Sequence, residues 1–123
     1  MSYKKFEIWQ LANELVILIH EMTLTKLPKF EMFEEGAQIR KSIKNVKATM
    51  VEGYGRKRYK AEFIKFLVYS LGSNDETIDH LENLYNTKSI QDEELFNKIH
   101  AKLETLGKKI NLFIKGLDNT NWE

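Results

Sequence analysis

Apolar residues recur at spacings of three and four over four stretches of the chain, the period of an amphipathic α-helix rather than the alternation of a strand. In the first, Ile8, Leu11, Ala12, Leu15, Leu18, Ile19 and Met22 form one stripe of a helix expected from about Lys4 to Thr25. Pro28 ends that element, because the residue before proline is pushed out of the helical region. A second stripe runs through Met32, Gly36, Ile39, Ile43, Val46 and Met50, with Gly53 and Gly55 placed to form a left-handed helix end. The third carries Phe63, Phe66, Leu67, Ser70, Leu71, Asn74, Thr77, Ile78, Leu81 and Tyr85, and its period breaks between Asn86 and Gln91. Asp92, Glu93 and Glu94 then put negative charge in the first turn of a fourth helix, striped by Leu95, Ile99, Leu103, Leu106, Ile110, Phe113 and Leu117. Helices of about 25 residues, ~38 Å each, joined by short loops, predict an all-α, antiparallel, up-down-up-down four-helix bundle.

Composition agrees with one domain spanning residues 1–123, with 42% hydrophobic and 30% charged residues. The single proline argues against a β-rich fold, and the absence of cysteine removes disulfides and thiolate metal sites. Leu15-Val16-Ile17-Leu18-Ile19, the longest apolar run, is too short to span a bilayer, and no signal-peptide pattern opens the chain. The expectation is a cytoplasmic protein without membrane contact.

The first helix has more apolar surface than one core stripe uses. Phe6, Trp9, Val16, Ile17 and Leu24 lie off it, and Leu112 lies off the stripe of the fourth helix. A helix apolar on two faces is buried on two faces. Phe6, Trp9, Val16, Ile17 and Leu112 are therefore the candidate contacts of a homo-oligomer; the alternative is that Phe6 and Trp9 fold over the bundle end.

Catalytic patterns are missing. His20, His80 and His100 do not supply the paired Glu-x-x-His of a di-iron bundle or a His-Glu-x-x-His site, and solvent-facing histidines explain all three. Ser42, Ser70, Ser73 and Ser89 have no nucleophile-elbow setting, and Gly53-Tyr54-Gly55 is only a fragment of a phosphate-binding loop. No enzyme activity, metal or cofactor is expected. Ser70, Asn74 and Thr77 interrupt a core stripe, so they either hydrogen-bond across helices, with Gly72 allowing close approach, or line a small polar cavity.

Charge is unevenly spread although the net value is only +1. Arg40, Lys41, Lys44, Lys47, Arg56, Lys57, Arg58, Lys60 and Lys65 stand against Glu52 and Glu62, a local balance of +7, whereas residues 75–104 sum to −5. Arg40, Lys44 and Lys47 share one stripe of the second helix, and Arg56 to Lys60 form the tip joining helices two and three, interleaved with Tyr54 and Tyr59. Cations on a rigid tip suit phosphates, and tyrosines stack on unpaired bases, so RNA or DNA is the leading partner. Two alternatives stay open: a merely solvated surface, or in its middle form a basic end that meets the acidic helices of a neighbouring copy, and a scaffold oligomer whose tip docks an acidic protein partner.

Ile8-Trp9-Gln10, Gln38-Ile39-Arg40-Lys41, Val51-Glu52-Gly53-Tyr54-Gly55-Arg56, Phe63-Ile64-Lys65-Phe66-Leu67 and Leu71-Gly72-Ser73 together resemble the bacterial four-helix-bundle family named for reading frames inside intervening sequences of 23S ribosomal RNA genes. The resemblance covers almost the whole chain. It implies a bundle assembling as a ring, typically a homopentamer, and a relation to the accessory protein of diversity-generating retroelements, which binds nucleic acid and a reverse transcriptase. It implies no settled activity. Where that family commonly has proline and asparagine, this chain has Lys47 and Thr49, so the second helix is expected to run straighter.

Overall fold

The structure is a computed structural model that describes residues 2–120; the ends of the expected 1–123 domain lie outside the described residues. Four helices follow in order, α1 Glu7–Thr25, α2 Glu35–Gly55, α3 Lys60–Asn86 and α4 Glu93–Asp118, with no strand among the described residues. Each helix packs on its neighbour in sequence and α1 closes on α4. The result is the expected up-down-up-down bundle.

The local causes are readable. A short 3₁₀ turn, Tyr3–Lys5, precedes α1, with the Ser2 hydroxyl accepting from the Lys4 amide. Lys26 ends α1 and Pro28 prevents its continuation. A second 3₁₀ turn, Lys29–Phe33, follows, so Met32 lies ahead of α2 rather than in it. Asp92 caps α4 by accepting from the Leu95 amide at 3.0 Å.

The core is built from the expected stripes. Leu15, Ile19, Ile39, Ile43, Phe63, Leu67, Ile99, Leu103 and Ile110 are buried, each such side chain contributing roughly 1.5–3 kcal/mol on leaving water. The third stripe shifts at its end: Leu84 is buried, while Tyr85 is turned outward to stack on Phe96 with centroids 4.2 Å apart.

The α2–α3 interface is the most extensive and follows an antiparallel ladder of small polar side chains. Thr49 pairs with Ser70 at 2.7 Å, Asn45 donates to Ser73 at 2.6 Å, and Thr77 donates to Ser42 at 2.8 Å. Ser70 also donates to the Val46 carbonyl, and Asn74 to the Leu103 carbonyl on α4. Ser70, Asn74 and Thr77 thus join helices, the first of the two expected roles. The glycines work differently from expectation. Gly53 is not a left-handed terminus, since no glycine among the described residues has positive φ. It lies in α2 where a Cβ would stand 2.9 Å from that of Phe66, so its missing side chain is what lets the helices meet. Gly72 faces open space, and the close approach to Asn74 is provided by Gly107 instead.

Candidate nucleic-acid interface

The α2–α3 tip is short and internally bonded. Arg56 N–H donates to the Gly53 carbonyl, Lys57 N–H to Tyr54, and Tyr59 N–H to Arg56, all within 3.0–3.1 Å. Beneath it, Tyr54 packs edge-on against Tyr3, Phe6 and Phe63, while Phe113 meets Phe6 and Phe63, with centroids 5.0–6.2 Å apart. These five rings form a plug in the geometry that aromatic quadrupoles favour. The cations therefore stand on a rigid base.

Their situations differ. Arg58 is exposed with its guanidinium 5.8 Å from the centroid of the exposed Tyr59 ring. Lys57 lies 4.0 Å from the Tyr54 ring centroid and donates to its hydroxyl. Arg56 is ion-paired with Glu52 at 3.4 Å and Glu62 at 3.7 Å, and lies over Phe66. Lys65 also pairs with Glu62, and Lys60 donates to the Thr120 carbonyl. On α2, Lys41 and Lys44 are exposed and form no ion pair or hydrogen bond among the described residues. Arg40 and Lys47 share their stripe but turn inward toward α1. Arg40 donates to Thr23 at 2.9 Å and to the Met32 carbonyl at 2.7 Å; Lys47 donates to Asn13 at 2.8 Å and sits over the Trp9 ring. Of the nine candidate cations, these two turn inward to α1 and its following turn, while Arg56, Lys57, Lys60 and Lys65 are partnered at the tip itself.

The candidate assembly residues separate in the same way. Phe6 belongs to the aromatic plug, Trp9 lies between Tyr3 and Lys47, and Val16 is half-buried against the core. Ile17 and Leu112 are 57% and 65% exposed, and Leu24 is also exposed on α1. The Trp9 indole N–H is shielded from solvent and has no acceptor among the described residues.

The opposite end holds features that the residue pattern does not announce. Two histidines are not simply solvent-facing: His80 binds Glu35 at 2.6 Å and His100 binds Glu82 at 2.8 Å, with both rings largely covered. Glu31 is buried, and Phe30 and Phe33 are exposed. The Leu95 amide, aided by Lys26, holds the Asp92 carboxyl below its ordinary range, whereas a hydrogen bond to Glu93 pushes the Tyr85 hydroxyl up. A buried glutamate could have been suspected only from its place between Pro28 and Gly36. Among the described residues, no three His, Cys, Asp or Glu side chains converge to hold a metal ion, and no helix is long and apolar enough to cross a membrane.

Fold and surface together define a small antiparallel helical-bundle protein with a cationic connection at one end and one that exposes Phe30 and Phe33 at the other. The chain belongs to the 23S rRNA-intervening sequence protein family, whose model matches residues 4–112. A solved structure of a protein of unknown function from the S23 ribosomal protein family of Bacteroides thetaiotaomicron is similar to it, with a TM-score of 0.75 and 24% identity over 88% of this chain and 98% of that one. At that identity the likeness speaks for the fold. No curated protein matches the chain.

Proposed function

We propose that this protein is a non-enzymatic, self-assembling binding protein that grips nucleic acid, RNA foremost, through the outer face of α2 and the α2–α3 tip. The observation that carries the reading is the set of exposed cations Lys41, Lys44 and Arg58 that no protein group neutralises among the described residues, continued by Lys57 and Arg56 on a tip that the aromatic plug holds still. Residues 41 to 56 span about 22 Å of helix axis, enough for several phosphates, and the exposed Tyr59 offers a face for a base beside Arg58. Assembly is supported by Ile17 and Leu24 on the outer side of α1 and Leu112 on α4. In a ring of copies, five by the family resemblance, the cationic track would repeat and gain avidity for a polyanion.

The test is titration of a ribosomal RNA fragment by fluorescence anisotropy across a salt series. Replacing Arg56, Lys57 and Arg58 by alanine is expected to weaken binding and to flatten the dependence of log affinity on log salt. The flattening should be about 0.7 for each single-strand phosphate that the variant no longer neutralises. The same fold should survive, because the ion pairs removed are exposed ones worth at most ~1 kcal/mol. Unchanged affinity and slope would refute the reading. Ile17→Glu and Leu112→Glu should lower the mass seen by light scattering.

A further inference from the structure

The end of the bundle away from the tip presents an apolar surface that the protomer does not use. Phe33 is 87% exposed and Phe30 62%. In a 3₁₀ turn, side chains three apart eclipse, so both rings leave the same side of Lys29–Phe33. The turn beneath them is braced from several directions. Glu31 is only 6% exposed, and its carboxylate accepts from the Ser89 hydroxyl at 2.5 Å and the Glu35 amide at 3.2 Å. Arg40 donates to the Met32 carbonyl, and Gly36 has no side chain because a Cβ there would collide with the Glu31 carbonyl. A buried carboxylate and a half-buried arginine thus hold still a segment that turns two phenyl rings to solvent. Rigid, exposed aromatic side chains make good binding anchors, because little conformational entropy is left to lose on association.

An adjoining cleft indicates the partner's chemistry. It encloses about 360 Å³ beside Phe30, and its wall includes the carboxylates of Glu31, Glu34 and Glu35, with no lysine or arginine among its lining residues. Glu34 is exposed and unpaired among the described residues. Such a wall repels phosphate and anionic lipid and favours an ammonium or guanidinium group.

We infer that Phe30, Phe33 and this cleft dock a cationic amphipathic segment of a partner protein. An apolar side chain of the segment covers the two rings while a neighbouring lysine or arginine reaches Glu34, the Glu35 carboxylate beside it being already bonded to His80 and Asn83. The surface lies at the other end of the bundle from the tip, so this inference stands independently of the nucleic-acid reading.

A fluorescein-labelled helical peptide with leucines and arginines along one face tests it, beside a control with glutamate for each arginine. The arginine peptide should bind at physiological salt, and the control at least about tenfold more weakly. Phe30→Ala with Phe33→Ala should weaken the arginine peptide by about tenfold or more, as expected for anchor residues, and Glu34→Lys should do the same. Glu104→Lys, a charge reversal on exposed α4, should change it less than about twofold. Equal losses from Glu34→Lys and Glu104→Lys would reduce the effect to diffuse attraction and overturn the inference, as would unchanged binding by the double alanine variant. Circular dichroism establishes that each variant is folded. Light scattering separates the rival occupant: a smaller assembly for the double variant would assign the rings to an interface between copies and also overturn the inference.

Discussion

At the tip end, five aromatic rings pack together beneath the chain, Phe63 buried and the other four partly covered, with cations above them; at the far end two phenyl rings face solvent above the buried Glu31 carboxylate. The tip is supported by apolar packing among Tyr3, Phe6, Tyr54, Phe63 and Phe113, which tolerates displayed cations because it does not depend on their pairing. The far connection is supported by directed hydrogen bonds, Glu31 to Ser89 and Glu35, and Arg40 to the Met32 carbonyl. That support fails discretely when one partner is removed. Two helix ends in one bundle thus expose opposite chemistries by opposite means.

Mutations can break or sharpen this contrast. Phe63→Ala should have the largest effect, a loss of about 3–5 kcal/mol in chemical denaturation, because the ring is 2% exposed and joins the plug to the core. A much smaller loss would mean that the plug is not what stabilises the tip. Ser89→Ala should cost about 1–3 kcal/mol by leaving the buried Glu31 carboxylate without its hydroxyl donor. Hydrogen exchange should then rise first around residues 29–36. Arg40→Ala and Lys44→Ala, four residues apart, should divide cleanly. The former loses bonds to Thr23 and Met32 and is expected to lower the unfolding midpoint, at about 1–3 kcal/mol; the latter should leave the midpoint alone and reduce only RNA affinity. Phe33→Ala should move stability least, within about 0.5 kcal/mol, since its ring leaves the protein surface almost entirely. A substantial loss there would show that the phenyl is needed for folding and remove the reason to see it as a binding anchor.

Much of the fold was legible from the spacing of apolar residues. Ile8, Ala12, Leu15 and Ile19 on α1 and Ile99, Leu103, Leu106 and Ile110 on α4 are buried where their period puts them. The errors sit where the neighbouring helix decides. Tyr85 and Leu84 exchange roles because the stripe steps three rather than four residues after Leu81, and Phe96 of α4 supplies a stacking partner for the tyrosine. Gly53 reads as a left-handed terminus, yet α2 stays right-handed through it to its end at Gly55, and the missing side chain accommodates Phe66. The candidate cations were legible as a cluster, but which of them reach solvent was not. A long side chain a quarter-turn from the core can go either way, and the polar groups of α1 decide for Arg40 and Lys47.

The amino-acid sequence by itself determined the helices, their order and their buried stripes, because periodicity is a local property that burial reads directly. It also determined the two charge-biased segments, which composition states without any geometry. Only the tertiary structure decided which cations remain unpaired, that Glu31 turns inward, and that Phe30 and Phe33 turn outward. Those outcomes depend on hydrogen-bond partners distant in the chain, Ser89 for Glu31 at 58 residues and Thr23 for Arg40 at 17, and no local pattern encodes where such partners come to stand.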